Sequence, residues 1–514
     1  MPSTAHRLGP YEIGEPIGAG GMGEVYLARH VGIAGFHRRV AVKRLRSPPA
    51  GAQAGAAEAQ IERFVDEARI AALLVHPSIV AVYDFGRDDD GFYLVMEYVD
   101  GASLASVVGG GARLSRDVAV HVVAEVARAV DHAHRARDLE GRPLRLVHRD
   151  ISPHNVLLSR AGDVKLADFG IAHAENQLSR TATGAVLGKV AYMAPEQLAG
   201  RPVDGRADVF SLGVMLWELT LAATAFPAEA GRRGVDAVVP PPASIDPDYP
   251  AALDAIVTAA VARDPDARTA SAGELARALD GFLDQRGVRV RREQIADMVP
   301  AAPAPEIERR PSTSSAASTG ERPTIRRLRA LRIGDVVGDY EITDLIGEGG
   351  MGVVYAAIDR RIGKRAAIKV LRHQQAGDER AVARLLDEAR AVNRIGHPNI
   401  VDIFGFGTLD GGGVYCVMEL LAGQTLREVL GARAPLPPRD AIELLVPVAA
   451  AIDAGHRAGV VHCDLKPDNV FVCERGDGTR AIKVLDFGLA RSSDAASQLG
   501  DPGPLTGSTS TRSA

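Results

Sequence analysis

Two short runs in the first half of the chain gather side chains suited to proton and metal chemistry. His148-Arg-Asp150-Ile-Ser-Pro-His-Asn155 holds an aspartate that can accept a proton from a hydroxyl and, five residues on, an asparagine that can bind Mg²⁺; Asp168-Phe-Gly170 supplies a second metal-binding carboxylate. A divalent metal is needed where a transferred phosphoryl carries concentrated negative charge, and a protein then contributes positioning and counter-charge rather than covalent chemistry. Lys43 follows the short apolar strand Val40-Ala-Val42, and Glu67 falls on an amphipathic helix. Singly they read as a surface lysine at a strand end and a solvated helix face. Together they suggest a buried pair whose carboxylate holds the ammonium against the α- and β-phosphates of a nucleotide. A glycine-rich run completes the set: Ile17, Gly18, Ala19, Gly20, Gly21, Met22, Gly23, Glu24 and Val25. A dinucleotide-binding turn would open a helix after its glycines. Glu24-Val-Tyr-Leu-Ala28 instead reads as a strand, which puts the glycines in a hairpin where backbone amides can approach phosphates closely.

Several elements must position these groups. An apolar helix over Val118–Ala133 and a strand-like Leu144–Val147 precede Asp150, and a second apolar run spans Val209–Leu221. The 514 residues exceed one ordinary core and suggest about two to four domains. With 46% hydrophobic and 24% charged residues the profile is soluble and globular. A net charge of −5 gives no support to nucleic-acid or anionic-membrane binding. The three cysteines, Cys416, Cys463 and Cys473, lack metal-ligand spacing and suit a reducing cytoplasm. No signal segment opens the chain, and its apolar runs, including Leu444–Ile452, are too short or interrupted to span a bilayer, so a cytoplasmic location is expected.

The chain repeats itself on the scale of a whole domain. Ile17-Gly-Ala-Gly-Gly-Met-Gly-Glu-Val-Tyr26 returns as Ile346-Gly-Glu-Gly-Gly-Met-Gly-Val-Val-Tyr355, and Val40-Ala-Val-Lys43 as Ala366-Ala-Ile-Lys369. Phe64-Val-Asp-Glu-Ala-Arg69 returns as Leu385-Leu-Asp-Glu-Ala-Arg390, His148-Arg-Asp150 as His462-Cys-Asp464, and Asp168-Phe-Gly170 as Asp486-Phe-Gly488. Between the copies, Pro300–Arg332 is rich in Pro, Ala, Ser, Thr and Arg and reads as a flexible linker. The expected order is an N-terminal extension (1–10), a complete first domain (11–283), a helical extension (284–300), a linker (301–335), an incomplete second domain (336–491) and a disordered tail (492–514).

With these motifs in order, the first copy resembles the bacterial branch of the eukaryotic-type serine/threonine protein kinases over about residues 11–283. Ala194-Pro-Glu196, Asp208 and Arg268 add to the likeness. The resemblance implies an α+β, bilobal fold: a small lobe of antiparallel sheet with one helix, and a large, mainly helical lobe. It implies transfer of the ATP γ-phosphoryl to serine and threonine hydroxyls of proteins, with Mg²⁺, or Mn²⁺ in its place. It makes Asp150 the base, Lys43 the phosphate ligand and Glu67 its orienter, with Asn155 and Asp168 on the metal. Met96 would be the gatekeeper, Glu97 to Val99 the hinge, and Glu196 with Arg268 the ion pair bracing the larger lobe. Arg149 would meet a phosphate on the activation segment, with Thr181 or Thr183 as the autophosphorylated residue and self-association allowing phosphorylation in trans. The partners implied are protein substrates, not nucleic acid.

Two positions depart from the family pattern. Ser152 stands where a lysine is expected, and Lys189 where a threonine is. The two changes are complementary, so an exchange is expected, with Lys189 serving the γ-phosphate and Ser152 giving a hydrogen bond to Asp150; a weakened enzyme is the alternative. His154 stands where tyrosine-specific members carry arginine. Arg309-Arg-Pro-Ser312 and Arg322-Pro-Thr324 read as ordinary linker.

The second copy keeps Gly347, Gly349, Gly352, Lys369, Glu388, Asp464, Lys466, Asn469 and Asp486, while Cys463 replaces the arginine before the aspartate. Beyond Arg491 the likeness is expected to end, without Ala-Pro-Glu or a counterpart of Asp208. Three readings stay open: a shortened coding sequence, which is preferred, a nucleotide-binding regulatory copy, and a split enzyme. Two rivals to an active enzyme are a pair of non-catalytic scaffolds and small-molecule phosphotransfer.

Overall fold

The computed structural model describes residues 7–19, 23–31, 37–45, 54–88, 91–138, 140–168, 190–226, 237–301, 331–348, 352–371, 392, 395–409, 413–474, 480–486 and 491–492. Gly20, Gly21, Met22, Thr181, Thr183, Lys189, Gly349 and Glu388 lie outside them.

The first small lobe is an antiparallel sheet of β1 (Arg7–Leu8), β2 (Tyr11–Ala19), β3 (Gly23–Val31), β4 (His37–Leu45), β5 (Val82–Asp88) and β6 (Gly91–Glu97), in the order β1-β2-β3-β4-β6-β5. One helix, α1 (Ala54–Leu73), joins β4 to the rest. Its Phe64, Ala68 and Ala72 pack with Val82, Phe85 and Leu94 of the sheet. That burial, at about 25 cal/mol per Å² of apolar surface, fixes which face of α1 turns inward and hence where Glu67 points. Gly23 is required by close approach: a Cβ there would lie 2.0 Å from the carbonyl oxygen of Arg44 on the neighbouring strand.

A small sheet of β7 (Gly101–Ser103), β8 (Val156–Ser159) and β9 (Val164–Leu166) begins the large lobe. Helix α2 (Leu104–Gly109) follows β7, and α3 (Arg116–His134) is capped by Ser115, whose hydroxyl accepts from the amide of Val118. Helices α4 (Pro195–Leu198), α5 (Arg206–Leu221), α6 (Ala251–Ala260), α7 (Ala272–Gln285) and α8 (Arg292–Ala296) complete it. α5 is apolar on every side and buried almost throughout, as a central helix must be. It packs with α3, α6 and α7 in one core.

The repeat is structural. β10 (Val336–Val337), β11 (Tyr340–Glu348), β12 (Gly352–Asp359), β13 (Arg365–Leu371), β14 (Ile403–Thr408) and β15 (Val414–Met418) form a second sheet in the order β10-β11-β12-β13-β15-β14, matching the first. Gly352 repeats the need of Gly23, with Val370 O at 2.3 Å from an added Cβ. Then come β16 (Gly423–Thr425), α9 (Leu426–Arg433), α10 (Pro438–Arg457), β17 (Val460–Val461), β18 (Val470–Glu474), β19 (Arg480–Val484) and β20 (Arg491–Ser492). The described part of this copy ends before the region that holds α5 in the first.

Both lobes of the expected α+β fold are present in the first copy. Two local expectations are corrected. Lys43 lies inside β4 rather than at its end. Leu144–Val147 is not a strand; the amides that follow it, those of His148 and Arg149, are bound by a carboxylate instead of a ladder. No helix among the described residues is long and apolar enough to cross a membrane.

Candidate active site

Three elements bring the predicted residues of the first copy together. β4 pairs with β3 and β6, placing Lys43 opposite Val25 and Leu94. From there its ammonium reaches Glu67 Oε1 of α1 and Asp168 Oδ1, each at 2.8 Å. Lys43 and Glu67 are both buried. Burial opposes the ammonium, but Asp168 and Glu67 outweigh it and hold the Lys43 pKa above its ordinary value. Lys43 is therefore a fixed positive charge between two carboxylates. A cavity beside it has Glu67, Leu94, Met96, Leu166 and Asp168 among its walls.

The catalytic loop is held from below. Asp208, fully buried at the start of α5, accepts from the amides of His148 (2.7 Å) and Arg149 (2.8 Å) and from the ring of His134 (2.7 Å). Burial would raise its pKa, yet these donors keep it below the ordinary aspartate value. Arg149 has φ 65°, a left-handed conformation that its pinned amide maintains. His148 Nε2 lies 3.3 Å from the carbonyl oxygen of Ala167, and Nδ1 accepts from the amide of Asp150 at 3.3 Å. That pattern fits a neutral ring, and burial lowers its pKa despite Asp208 and Asp150.

Asn155 donates through Nδ2 to the backbone oxygen of Asp150 at 2.7 Å and to its Oδ2 at 3.0 Å. Asp150 is thereby oriented, and Asn155 presents Oδ1, an oxygen ligand of the kind hard divalent cations prefer. Asp168, at φ 52°, adds a carboxylate. The donor set thus fits one or more such cations.

Glu97 of the expected hinge turns its carboxylate to Lys165 (2.7 Å) and to the amide of Ala81 (3.2 Å). Glu196 and Arg268 form the expected buried pair at 2.8 and 3.1 Å, and Arg268 also donates to the carbonyls of Ala262 and Arg206. Ser152 differs from expectation. Its hydroxyl is fully buried and without a hydrogen-bond partner among the described residues, so it does not donate to Asp150.

The second copy repeats much of this. Lys369 reaches Asp486 at 2.7 Å, Asn469 donates to Asp464 O (2.9 Å) and Oδ2 (3.1 Å), and His462 Nε2 lies 3.0 Å from Leu485 O. Lys466 adds a contact the first copy lacks, 2.7 Å to Asp464 Oδ2. That hydrogen bond lowers the pKa of Asp464.

Comparison with known proteins decides the family. The family model for the protein kinase domain matches residues 11–270 and 340–510. The chain belongs to the protein kinase family. Within this kinase chain the second match continues past Arg491, where the motifs alone end. Similar curated relatives include the tyrosine-protein kinase MasK of Myxococcus xanthus, 39% identical over 54% of this chain and 43% of that protein. The serine/threonine-protein kinase PknJ of Mycobacterium tuberculosis is 41% identical over 58% and 48%, and PrkC of Bacillus subtilis 36% over 50% and 38%. The kinase spans less than half the length of these relatives. The crystal structure of the Mycobacterium tuberculosis PknI kinase domain is 33% identical, covering 55% of this chain and 98% of that one, with a TM-score of 0.42. Family membership brings with it use of ATP and a divalent metal.

Three supporting residues escaped the sequence reading: His134 beneath Asp208, Asp131, which accepts from the amide of Gly273 at 3.0 Å, and Lys165 on the hinge glutamate. The internal repeat carried a signal for Lys165, since Lys483 bonds Glu419 at 2.6 Å at the corresponding place.

Proposed function

We propose that the first copy transfers the γ-phosphoryl group of ATP to serine and threonine hydroxyls of protein substrates. The observation that carries this reading is the Lys43 ammonium shared between Glu67 and Asp168 at 2.8 Å, together with an Asp150 oriented by Asn155. Lys43 is the counter-charge to the α- and β-phosphates, and Glu67 keeps it extended toward them. Asp150 Oδ accepts the proton of the attacking hydroxyl as the oxygen–phosphorus bond forms and the β,γ-bridge breaks to release ADP. Asn155 and Asp168 would hold Mg²⁺, or Mn²⁺, which neutralises charge developing on the phosphoryl oxygens. Arg149 makes no ion pair among the described residues and is left to receive a phosphate at Thr181 or Thr183. Mass spectrometry after incubation with ATP tests this, and absence of phosphate at both threonines contradicts it. The cytoplasm, protein substrates and transient self-association complete the reading, with the second copy regulatory.

A second reading concerns the acceptor. A relative 39% identical is named a tyrosine-protein kinase, and Ser152 leaves the catalytic loop without the lysine that the second copy carries at Lys466. Phosphoamino-acid analysis of labelled acceptor protein separates the readings: phosphoserine and phosphothreonine support the first, phosphotyrosine alone the second.

A further inference from the structure

Equivalent positions of the two copies meet face to face. Arg38 and Lys364 each lie five residues before the lysine of their sheet, Lys43 and Lys369, while Tyr83 and Phe404 each lie four residues after Ile79 and Ile400. In the folded chain the Tyr83 and Phe404 rings are 5.7 Å apart. The Arg38 guanidinium lies 3.9 Å from the Tyr83 centroid, and Lys364 Nζ lies 3.3 Å from that of Phe404 and 5.2 Å from that of Tyr83. Arg38 crosses to the second copy, pairing with Asp402 at 3.0 Å and donating to the carbonyl of Ile403. Arg361 crosses the other way to Asp84, at 2.6 Å. One face of the fold thus meets its own repeat, the self-complementary geometry of a two-fold dimer built into a single chain.

The contact reaches the active site through packing. Ile362 of the second copy is 1% exposed and joins the cluster of Phe64, Ala68, Ala72, Val82, Phe85 and Leu94 in the first. Phe64 and Ala68 flank Glu67 on α1. Lys364 Nζ is buried against the apposed rings of the two copies, without a hydrogen-bond partner among the described residues.

We propose that the small lobe of the second copy is a built-in regulatory partner of the first, docking on the outer face of its sheet and bracing α1 through Ile362 so that Glu67 stays on Lys43. The consequence for turnover rests on the kinase reading above; the docking itself does not. The test uses the full chain and four variants: Ile362→Asp, Arg38→Asp, Asp402→Arg and the Arg38→Asp/Asp402→Arg double exchange. Amide hydrogen exchange over residues 54–73 and kcat with ATP are both read. Each single variant is expected to speed exchange in α1 and lower kcat about tenfold, a typical coupling between sites. The double exchange, which restores the ion pair and separates loss of docking from misfolding, is expected to return both to within about twofold of wild type. Unchanged exchange in every variant overturns the docking and leaves the kinase reading standing. Faster exchange with unchanged kcat overturns the bracing. Were wild type to transfer no phosphate, the kinase reading would fail while exchange still judged the docking.

Discussion

Arg149 in the first copy and Cys463 in the second share the same left-handed backbone, at φ 65° and 62°, and Asp168 and Asp486 share it at 52° and 48°. Each such residue costs about 1–3 kcal/mol, so the strain is kept twice. What surrounds it differs. In the first copy Asp208 binds the strained amides, and Asp150 is buried. In the second the side chain of Asp464 is 39% exposed and its carboxylate is taken by Lys466. The helices teach the same lesson: α3 is buried along most of its length, whereas α10 exposes Ile442, Leu445 and Val446. The shape of this loop is therefore a local property, latched in both copies by a histidine on the carbonyl before Asp168 or Asp486. Its enclosure depends on the helices of the large lobe.

The largest effect that would break this contrast is at the lysines. Lys43→Met is expected to lower kcat/KM about 10²–10³-fold, the scale of removing one preorganised charge, and Lys369→Met to change it less than about twofold. Equal losses would place catalysis in both copies.

Next comes the brace. Asp208→Ala leaves three donors unanswered in a buried site and is expected to cost roughly 3–5 kcal/mol of stability. Thermal unfolding reads the loss, and an unchanged midpoint would show that Asp208 does not hold the loop.

Ser152→Lys sharpens the comparison at smaller scale by giving the first copy the lysine of the second. Kinetics with ATP and acceptor protein are expected to move by less than about tenfold, because a charge beside the partly solvated γ-phosphate contributes modestly. Complete loss would show that the buried hydroxyl is itself required.

The smallest effect is in pH. Burial, with Arg292 and Arg457, lowers the His397 pKa from 6.5 to about 4. Burial alone dominates at Lys364, lowering it from 10.5 to about 7 against Asp402, with Arg38 adding to the decrease and Asp84 and Asp359 opposing it. In both windows the unfolded chain binds more protons than the folded one, so stability rises with pH. It should climb from about pH 4 to 6.5 through His397 and again above pH 7 through Lys364. Melting temperatures that fall between pH 7 and 9 would contradict the burial of Lys364; Lys364→Met should flatten that upper rise.

Part of the first site was legible because its chemistry is local: Asp150 and Asn155 sit five residues apart on one loop. Lys43 lies 24 residues from Glu67 and 125 from Asp168, and these side chains, ordinary when read singly, were legible only as a set. The antiparallel pairing of β2 with β3 followed from the strand pattern after Gly23. Leu144–Val147 misled because an apolar run before a polar turn looks like a strand, and only Asp208, 59 residues from Arg149 in sequence, shows that its amides are bound elsewhere. Ser152 misled for a related reason: lying two residues from Asp150 in sequence does not aim its hydroxyl at that carboxylate. The meeting of Arg38 with Asp402 spans 364 residues and leaves no periodic trace. The repeat did make the equivalent positions visible in hindsight, through Arg38 with Lys364 and Tyr83 with Phe404.

Phosphate transfer from ³²P-labelled ATP into a generic acceptor protein and into the chain itself, compared among wild type, Asp150→Asn and Asp464→Asn, tests the central claim most directly. Loss of label by about 10²–10⁴-fold in Asp150→Asn alone, the scale of a removed general base, is the predicted result. Label that persists in Asp150→Asn and disappears in Asp464→Asn would contradict it, making the second copy the catalyst and the first its partner.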